Sequence, residues 1–498
     1  MRKKSLICKI KDKVFLSQGL FLLGLVLSAG TLFTSCDDVY DDDASFRSDV
    51  TNQTLTSPDV DKIVVTPSTD GTSQTISWPV VHGAKGYEVS FYDMSDPENP
   101  AVLDEMNNKN IDGCSVTVSR EEDMNYRFTV KALGNEALNN KDAETATEVA
   151  FNTFTETFAT IPSGADLYEW FQSNPIPEEK VGEMLCFDLE PDGEYTLSQS
   201  LNFFNKLVTL RTSSKTNHAK VTIASEARIK TATGITMKYI DFDCSATFKP
   251  VIEMSDELDE SIKGVISGSQ AYYDVQENIV LNGCNFEGVN DKLFFDGDKK
   301  YCVGTMLIKN CMVHLTSSSL TSISGDAVIR CKSGFINSLT ITESTFWNTG
   351  DSDAKYLVQY NNSSRCDRGG YMRNLVAFTN NTFYNVAKAG QWGNYSGFAG
   401  RGTSDWVMTN NIFVDCGSNQ IARRFLAGRQ NQPTAVFANN TYMFDGGYEN
   451  TAGYDNSGTN IEEDPQFGDA ANGNFTVNGA AQLEKRTGDP RWLPLNNN

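Results

Sequence analysis

Between residues 58 and 155 apolar and polar residues alternate in short runs. GYEVSFY sets Tyr87, Val89 and Phe91 on one side, and YRFTVKALG does the same with Tyr126, Phe128, Val130 and Ala132. A period of two, broken by turn-forming clusters, predicts antiparallel strands packed as a sandwich. From about residue 185 the pattern changes. Short apolar runs recur, and the clearest end in an Asn pair and a bulky residue: VAFTNNTFYNV at 376–386, VMTNNIFVDC at 407–416 and AVFANNTYMFD at 435–445. Aligning that bulky residue gives Phe242, Phe286, Val313, Phe346, Phe383, Phe413 and Tyr442, with spacings of 44, 27, 33, 37, 30 and 29. A repeat near 30 residues built from β-branched and aromatic residues predicts a β-solenoid. In such a coil the bulky residue stacks on its equivalents. Asn tolerates a left-handed turn and can hydrogen-bond along the stack, so the Asn pairs read as structural. The 44-residue interval holds either a further coil or a long loop near 251–275.

The expected fold class is therefore all-β: an N-terminal antiparallel β-sandwich over 58–155, then a parallel β-helix over 185–498. Residues 156–184 read as a linker followed by a cap helix in DLYEWFQ, and EEDPQFGDAANGNFTV with GDPRW reads as a closing segment.

The first 36 residues lie outside this pattern. MRKK precedes the apolar run FLLGLVLSAGTLF, which is too short for an ordinary membrane span, and the run leads to LFTSC. This stretch resembles a bacterial lipoprotein signal in the relaxed form found in Bacteroidota. The resemblance implies removal of the leader and a lipid on Cys36, which would be the chain's one membrane attachment. The following CDDVYDDD opens an acidic tether over 37–57. It resembles the tag that sends such lipoproteins to the outer face of the outer membrane.

Net charge is −22, which argues against nucleic-acid binding. Three His residues, His82, His218 and His314, are too few for a His-rich metal centre. Beyond Cys8 and Cys36, nine Cys remain with no CxxC spacing, so they read as small buried apolar residues. Against the acidic total, residues 325–435 carry 11 basic and 7 acidic side chains, a local excess of 11 − 7 = +4. The strands preceding the Asn-pair strands, GDAVIRCK, KYLVQYNN, SGFAGRGT and RRFLAGRQN, set Arg330, Gln359, Arg401 and Arg429 near equivalent positions. Arginine forks match carboxylate geometry, and neighbouring aromatic rings make sugar platforms. The candidate ligand-binding residues are thus Arg330, Gln359, Tyr360, Trp392, Arg401, Arg424 and Arg429.

Two family resemblances follow. Trp78 in TISW, with the strand YRFTVKALG, is similar to a fibronectin type III domain, which implies a spacer. The repeats resemble the pectate-lyase-like right-handed β-helix superfamily, which implies action on uronate-rich polysaccharides. In that setting an Arg or Lys base is implied, and Arg330, Lys332, Arg401 and Arg429 are the residues that match. No WxDH, G-H-G or paired-Asp signature accompanies them. No cofactor is expected, although Ca²⁺ at Asp241/Asp243 or Asp296/Asp298 stays open. The leading reading is a surface lipoprotein that binds an acidic polysaccharide, with an outer-membrane glycan transporter complex as a possible partner. A polysaccharide lyase is the alternative, and a structural or adhesin-like rod is the second alternative.

Overall fold

The computed structural model describes residues 50–494, apart from 69–72, 268–269, 319–322, 324–325, 362–372, 396, 399–402, 431, 433 and 449–452. The chain divides into two compact units, one ending at Phe154 and the other starting at Thr155.

The first unit pairs a three-stranded antiparallel sheet with a five-stranded one. The strands Ala84–Asp93 and Asn125–Gly134 form the long central pair, with Val89 opposite Val130 and Phe91 opposite Phe128. The alternation seen in sequence becomes burial: Val89, Phe91, Phe128, Val130 and Ala132 are fully enclosed. Trp78 is buried against Tyr87 and Phe128, with ring centroids 5.5 Å away in each case.

The second unit is a parallel β-helix. Each full coil contributes one strand to each of three parallel sheets, here called sheets I, II and III in the order a coil visits them. The bulky repeat residue runs down sheet II. Phe242, Phe286, Val313, Phe346, Phe383, Phe413 and Tyr442 are neighbours in register, as the repeat alignment expects. Their rings stack almost face to face, Phe383 on Phe413 at 5.2 Å and Phe413 on Tyr442 at 5.6 Å. Val221 and Tyr195 extend this column into two earlier coils that carry no Asn pair. The 44-residue interval contains a sheet III strand, Ile252–Met254, and then an inserted antiparallel hairpin, Lys263–Ser267 with Gln270–Val275.

The turn from sheet I to sheet II explains the Asn pairs, and the two Asn do different work. The first adopts left-handed backbone, with φ of 55° at Asn380, 56° at Asn410 and 52° at Asn439. Asn tolerates this conformation better than other side-chain-bearing residues. The second Asn points its amide along the stack. Asn411 Oδ1 accepts from Asn381 N (3.1 Å) and Asn381 Nδ2 (2.9 Å), and Asn411 Nδ2 donates to Phe378 O (2.8 Å). Asn440 repeats the pattern on Asn411. A buried amide is tolerable because its hydrogen bonds are met.

Residues 156–184 are more than a linker. Thr157–Ile161 is a strand that pairs in parallel with Leu185–Leu189. Helix α1 (Leu167–Ser173) is capped by Asp166 and buries Leu167 and Phe171. At the other end, helix α2 (Ile421–Phe425) follows the seventh and last strand of sheet III, Trp392–Asn394, and packs against it. The closing segment includes helix α3 (Ala480–Lys485). It covers the last coils of sheet II through Phe467, Val477, Leu483, Trp492 and Leu493, packed around Ile412 and Val414. Eight Cys are described, none of them in a disulfide, and seven are buried. Burial pushes the Cys311 thiol up to about 12, consistent with a small apolar role.

Candidate functional site

Sheet III is where strand parity brings the expected residues together. Its inward column, Ile229, Ile252, Phe294, Ile329 and Val358, belongs to the coil core. The next residue on each strand must face the other way. That outward column reads Asn202, Lys230, Glu253, Phe295, Arg330, Gln359 and Asn394. Adjacent members sit one strand spacing apart, about 4.8 Å.

Charge along this column is balanced within the chain. Lys230 Nζ is 2.5 Å from Asp256 Oδ1. Arg228 Nε lies 2.8 Å from Glu253 Oε2, a charge contact without hydrogen-bond alignment. Burial raises the Glu253 carboxyl above its ordinary range, and Arg228 and Lys230 oppose that shift. Next along the stack, Lys292 contacts Asp291 at 2.9 Å and Asp326 at 3.3 Å. Arg330 Nε is 2.8 Å from Asp326 Oδ1, and its Nη1 donates to Cys331 O and Asn361 Oδ1. Nη2 of Arg330 has no hydrogen-bond partner among the described residues. Phe295 lies between Glu253 and Arg330, partly exposed, with Lys292 Nζ 5.7 Å from its ring centroid.

Several expected site residues stand elsewhere. Tyr360 follows Gln359 and so faces inward, packed against Phe398 at 5.6 Å and Tyr395 at 6.0 Å. Trp392 is also interior, edge-on to Phe383 at 5.0 Å and Phe413 at 5.3 Å. Neither is a surface platform. Lys332 lies just past the Arg330 strand and bonds Asp298 at 2.7 Å. Gln359 is level with Asn394, so WGN at 392–394 supplies the equivalent strand, where the sequence reading placed SGFAGRGT. Arg401 lies outside the described residues, as does Cys36. Arg424 is in the last turn of α2, and Arg429 is exposed in the loop beyond it. No sheet III strand carries them, because a helix occupies that place in the coil. Lys230, Glu253 and Phe295 went unread in the sequence, since their strands are only two or three residues long and carry no repeat mark.

The carboxylates considered for Ca²⁺ are engaged within the chain. Asp296 is buried and accepts from Ser333 N (2.8 Å), Gly334 N (2.7 Å) and Asp298 N (3.1 Å), which makes D-G-D a turn clamp. Asp241 accepts from Asn285 Nδ2 at 2.6 Å and contacts His218 Nδ1 at 2.8 Å. No group of three or more His, Cys, Asp or Glu that could hold a metal ion occurs among the described residues.

Three family models match the chain in succession. Residues 11–192 match DUF4992, 193–349 match a domain of unknown function (DUF4957), and 376–492 match a domain of unknown function (DUF5123); DUF4992 is likewise described as a domain of unknown function. The first model extends from before the sandwich into the opening β-helix strands, so its limits differ from the structural division at Phe154. No curated protein matches. Among solved structures, the chain is similar to pectate lyase Pel3 from Pectobacterium carotovorum, at 13% identity over 60% of this chain and 82% of that one, with a TM-score of 0.20. It is also similar to pectate lyase PelI from Erwinia chrysanthemi, crystallised with tetragalacturonic acid, at 11% identity over 65% and 84% with a TM-score of 0.13. At these scores neither likeness bears on fold or function; the β-helix is read from its own strand register.

Proposed function

We propose that this protein binds an acidic polysaccharide laid across the coils of sheet III. The observation that carries the reading is the outward column Lys230, Glu253, Phe295, Arg330, Gln359 and Asn394. It sets three charged groups and two amides about one partly exposed ring, at a spacing set by the backbone. Amides and cations suit sugar hydroxyls and carboxylates, and a ring suits the C–H face of a pyranose. The open valence of Arg330 Nη2 suits a uronate carboxylate. Binding is favoured over turnover by Arg or Lys because Arg330 and Lys332 already serve as partners to carboxylates of their own chain. One observation favours the catalytic alternative: Glu253, with its raised carboxyl, stands in the same column as a proton donor would.

The leader and Cys36 support an outer-membrane lipoprotein that faces the cell exterior, tethered by its acidic stretch, passing captured glycan to a transporter. Ca²⁺ would enter as a bridge between glycan carboxylates and the exposed acids of this face.

The test is affinity electrophoresis of the full chain in polygalacturonate and in a neutral glucan, alongside ultraviolet absorbance for unsaturated products. Retardation in polygalacturonate without product is expected. Arg330→Gln should weaken that retardation by about tenfold, as loss of one charge-assisted contact predicts. An absorbing product that disappears in Glu253→Gln would make the protein a lyase. Equal mobility in both gels would end the acidic-glycan reading. Loss of palmitate incorporation in Cys36→Ser checks the anchor.

A further inference from the structure

Sheet II has an outward face of its own, and among the described residues the closing segment covers its last coils. Over the earlier coils the column Glu194, Lys220, Asp241, Asn285 and Met312 runs in register, beside Thr196, Thr222, Asp243, Glu287 and His314. The open stretch ends where the closing segment begins. There Asn285, Phe286, Glu287, Met312, Trp347, Arg491 and Trp492 line a cleft of about 390 Å³. A second hollow of about 310 Å³, lined by Glu194, Thr196, Lys220 and Thr222, lies at the far end of the same face.

We infer that this face is a separate binding site for a neutral oligosaccharide, anchored at Trp492. The Trp492 ring is partly exposed yet fixed. Its Nε1 donates to Thr345 Oγ1 at 2.8 Å, and Phe475 packs edge-on at 5.8 Å. A ring held in advance loses little freedom when a sugar stacks on it. Polar groups suited to hydroxyls surround it. Glu287 is exposed and its Oε1 is in contact with His314 Nδ1. Arg491 uses Nε toward Asp489 and Nη2 toward Asn310, which leaves Nη1 without a hydrogen-bond partner among the described residues.

Charge decides the ligand class. The open face and its cleft carry Glu194, Asp241, Asp243 and Glu287 against Lys220 and Arg491, so a polyuronate meets repulsion here. End to end the two hollows span six strands, from that of Glu194 to that of Trp347, about 24 Å at the usual strand spacing and enough for at least four pyranose units. This site stands apart from the sheet III reading: one face takes the acidic glycan and the other a neutral one.

The experiment titrates a panel of neutral β-linked tetrasaccharides into the full chain, read by tryptophan fluorescence and by calorimetry. At least one should bind, and Met312→Arg, which fills the cleft from a partly exposed position, should weaken it by at least tenfold, the scale of a central contact. Trp492→Phe keeps an aromatic ring in place and should weaken it several-fold. Arg330→Gln should leave it unchanged while weakening polygalacturonate retardation, so the two sites fail separately. If no neutral tetrasaccharide binds, or if Met312→Arg binds as the parent does, the inference is wrong.

Discussion

The early and late coils of the β-helix make the same turn with opposite chemistry. At the inward turn position the early coils carry Ile240, Cys284 and Cys311, and the late coils carry Asn381, Asn411 and Asn440; all six are fully buried. Ser344 stands between the two groups. Its Oγ accepts from Cys311 N at 3.0 Å, and its N donates to Asn381 Oδ1 at 3.0 Å. A buried amide is therefore as good as a buried apolar residue when its neighbours are amides, and the series ends on a hydroxyl small enough to serve both sides. The left-handed position beside it is filled by Tyr239, Gly283, Asn310 and Glu343 in the early coils and by Asn in the late ones. Backbone geometry is the constant, and side-chain chemistry is chosen locally to fit it.

The largest break in this comparison is Asn411→Ala. It strands Asn381 N and Phe378 O in the core, while Asn440 Oδ1 keeps the backbone N of residue 411, and urea unfolding should show a loss of about 4 kcal/mol. Ser344→Ala removes the junction hydroxyl alone. Cys311 N then loses its partner, and the same measurement should give about 1–2 kcal/mol.

The two halves also differ in cover, since the closing segment packs over the late coils and reaches back to the early ones at Asn310, through Arg491. It is pinned by Asp489, which accepts from Thr345 Oγ1 at 2.7 Å and lies 3.1 Å from Arg491 Nε. Burial raises the Asp489 carboxyl from 3.8 to about 6. The folded chain then holds this proton more tightly than the unfolded chain does. Its stabilising effect is full below about 4 and fades as pH rises through about 6. Thermal unfolding should show parent stability falling by about 1 kcal/mol between pH 5 and 7 relative to Asp489→Asn. The smallest effect is a gain. Glu343 holds φ at 53° and its ion pair with Lys309, at 3.6 Å, is exposed, so Glu343→Asn should stabilise by about 0.5 kcal/mol.

This contrast also shows what could be read in the sequence. The late coils announce themselves because a continuous amide ladder demands Asn at fixed places. The two coils carrying Tyr195 and Val221 have no such demand and passed unseen. Sheet III was harder still. Its strands run two to five residues, and nothing in them is constrained to one residue type. Arg330 and Gln359 were aligned correctly. Strand parity alone excludes Tyr360, which sits beside Gln359 and cannot share its face. Arg429 failed as an equivalent because helix α2 interrupts the strand pattern there. Trp392 has an alternating neighbourhood that gives no hint of its φ of 66° or its place in the ring cluster.

Helix α2 also bears on where the solenoid stops. A stack of parallel coils can accept another strand at its last rung, so its terminus is a growing end unless something blocks it. Each sheet is arrested by a different means. Sheet III gives way to α2, sheet II turns back on itself where Gly447–Tyr448 pairs antiparallel with Met443–Phe444, and sheet I finishes in the four-residue strand Ala435–Ala438. Removing the helix or the Gly447–Tyr448 return would expose a template on which a second molecule could continue the winding.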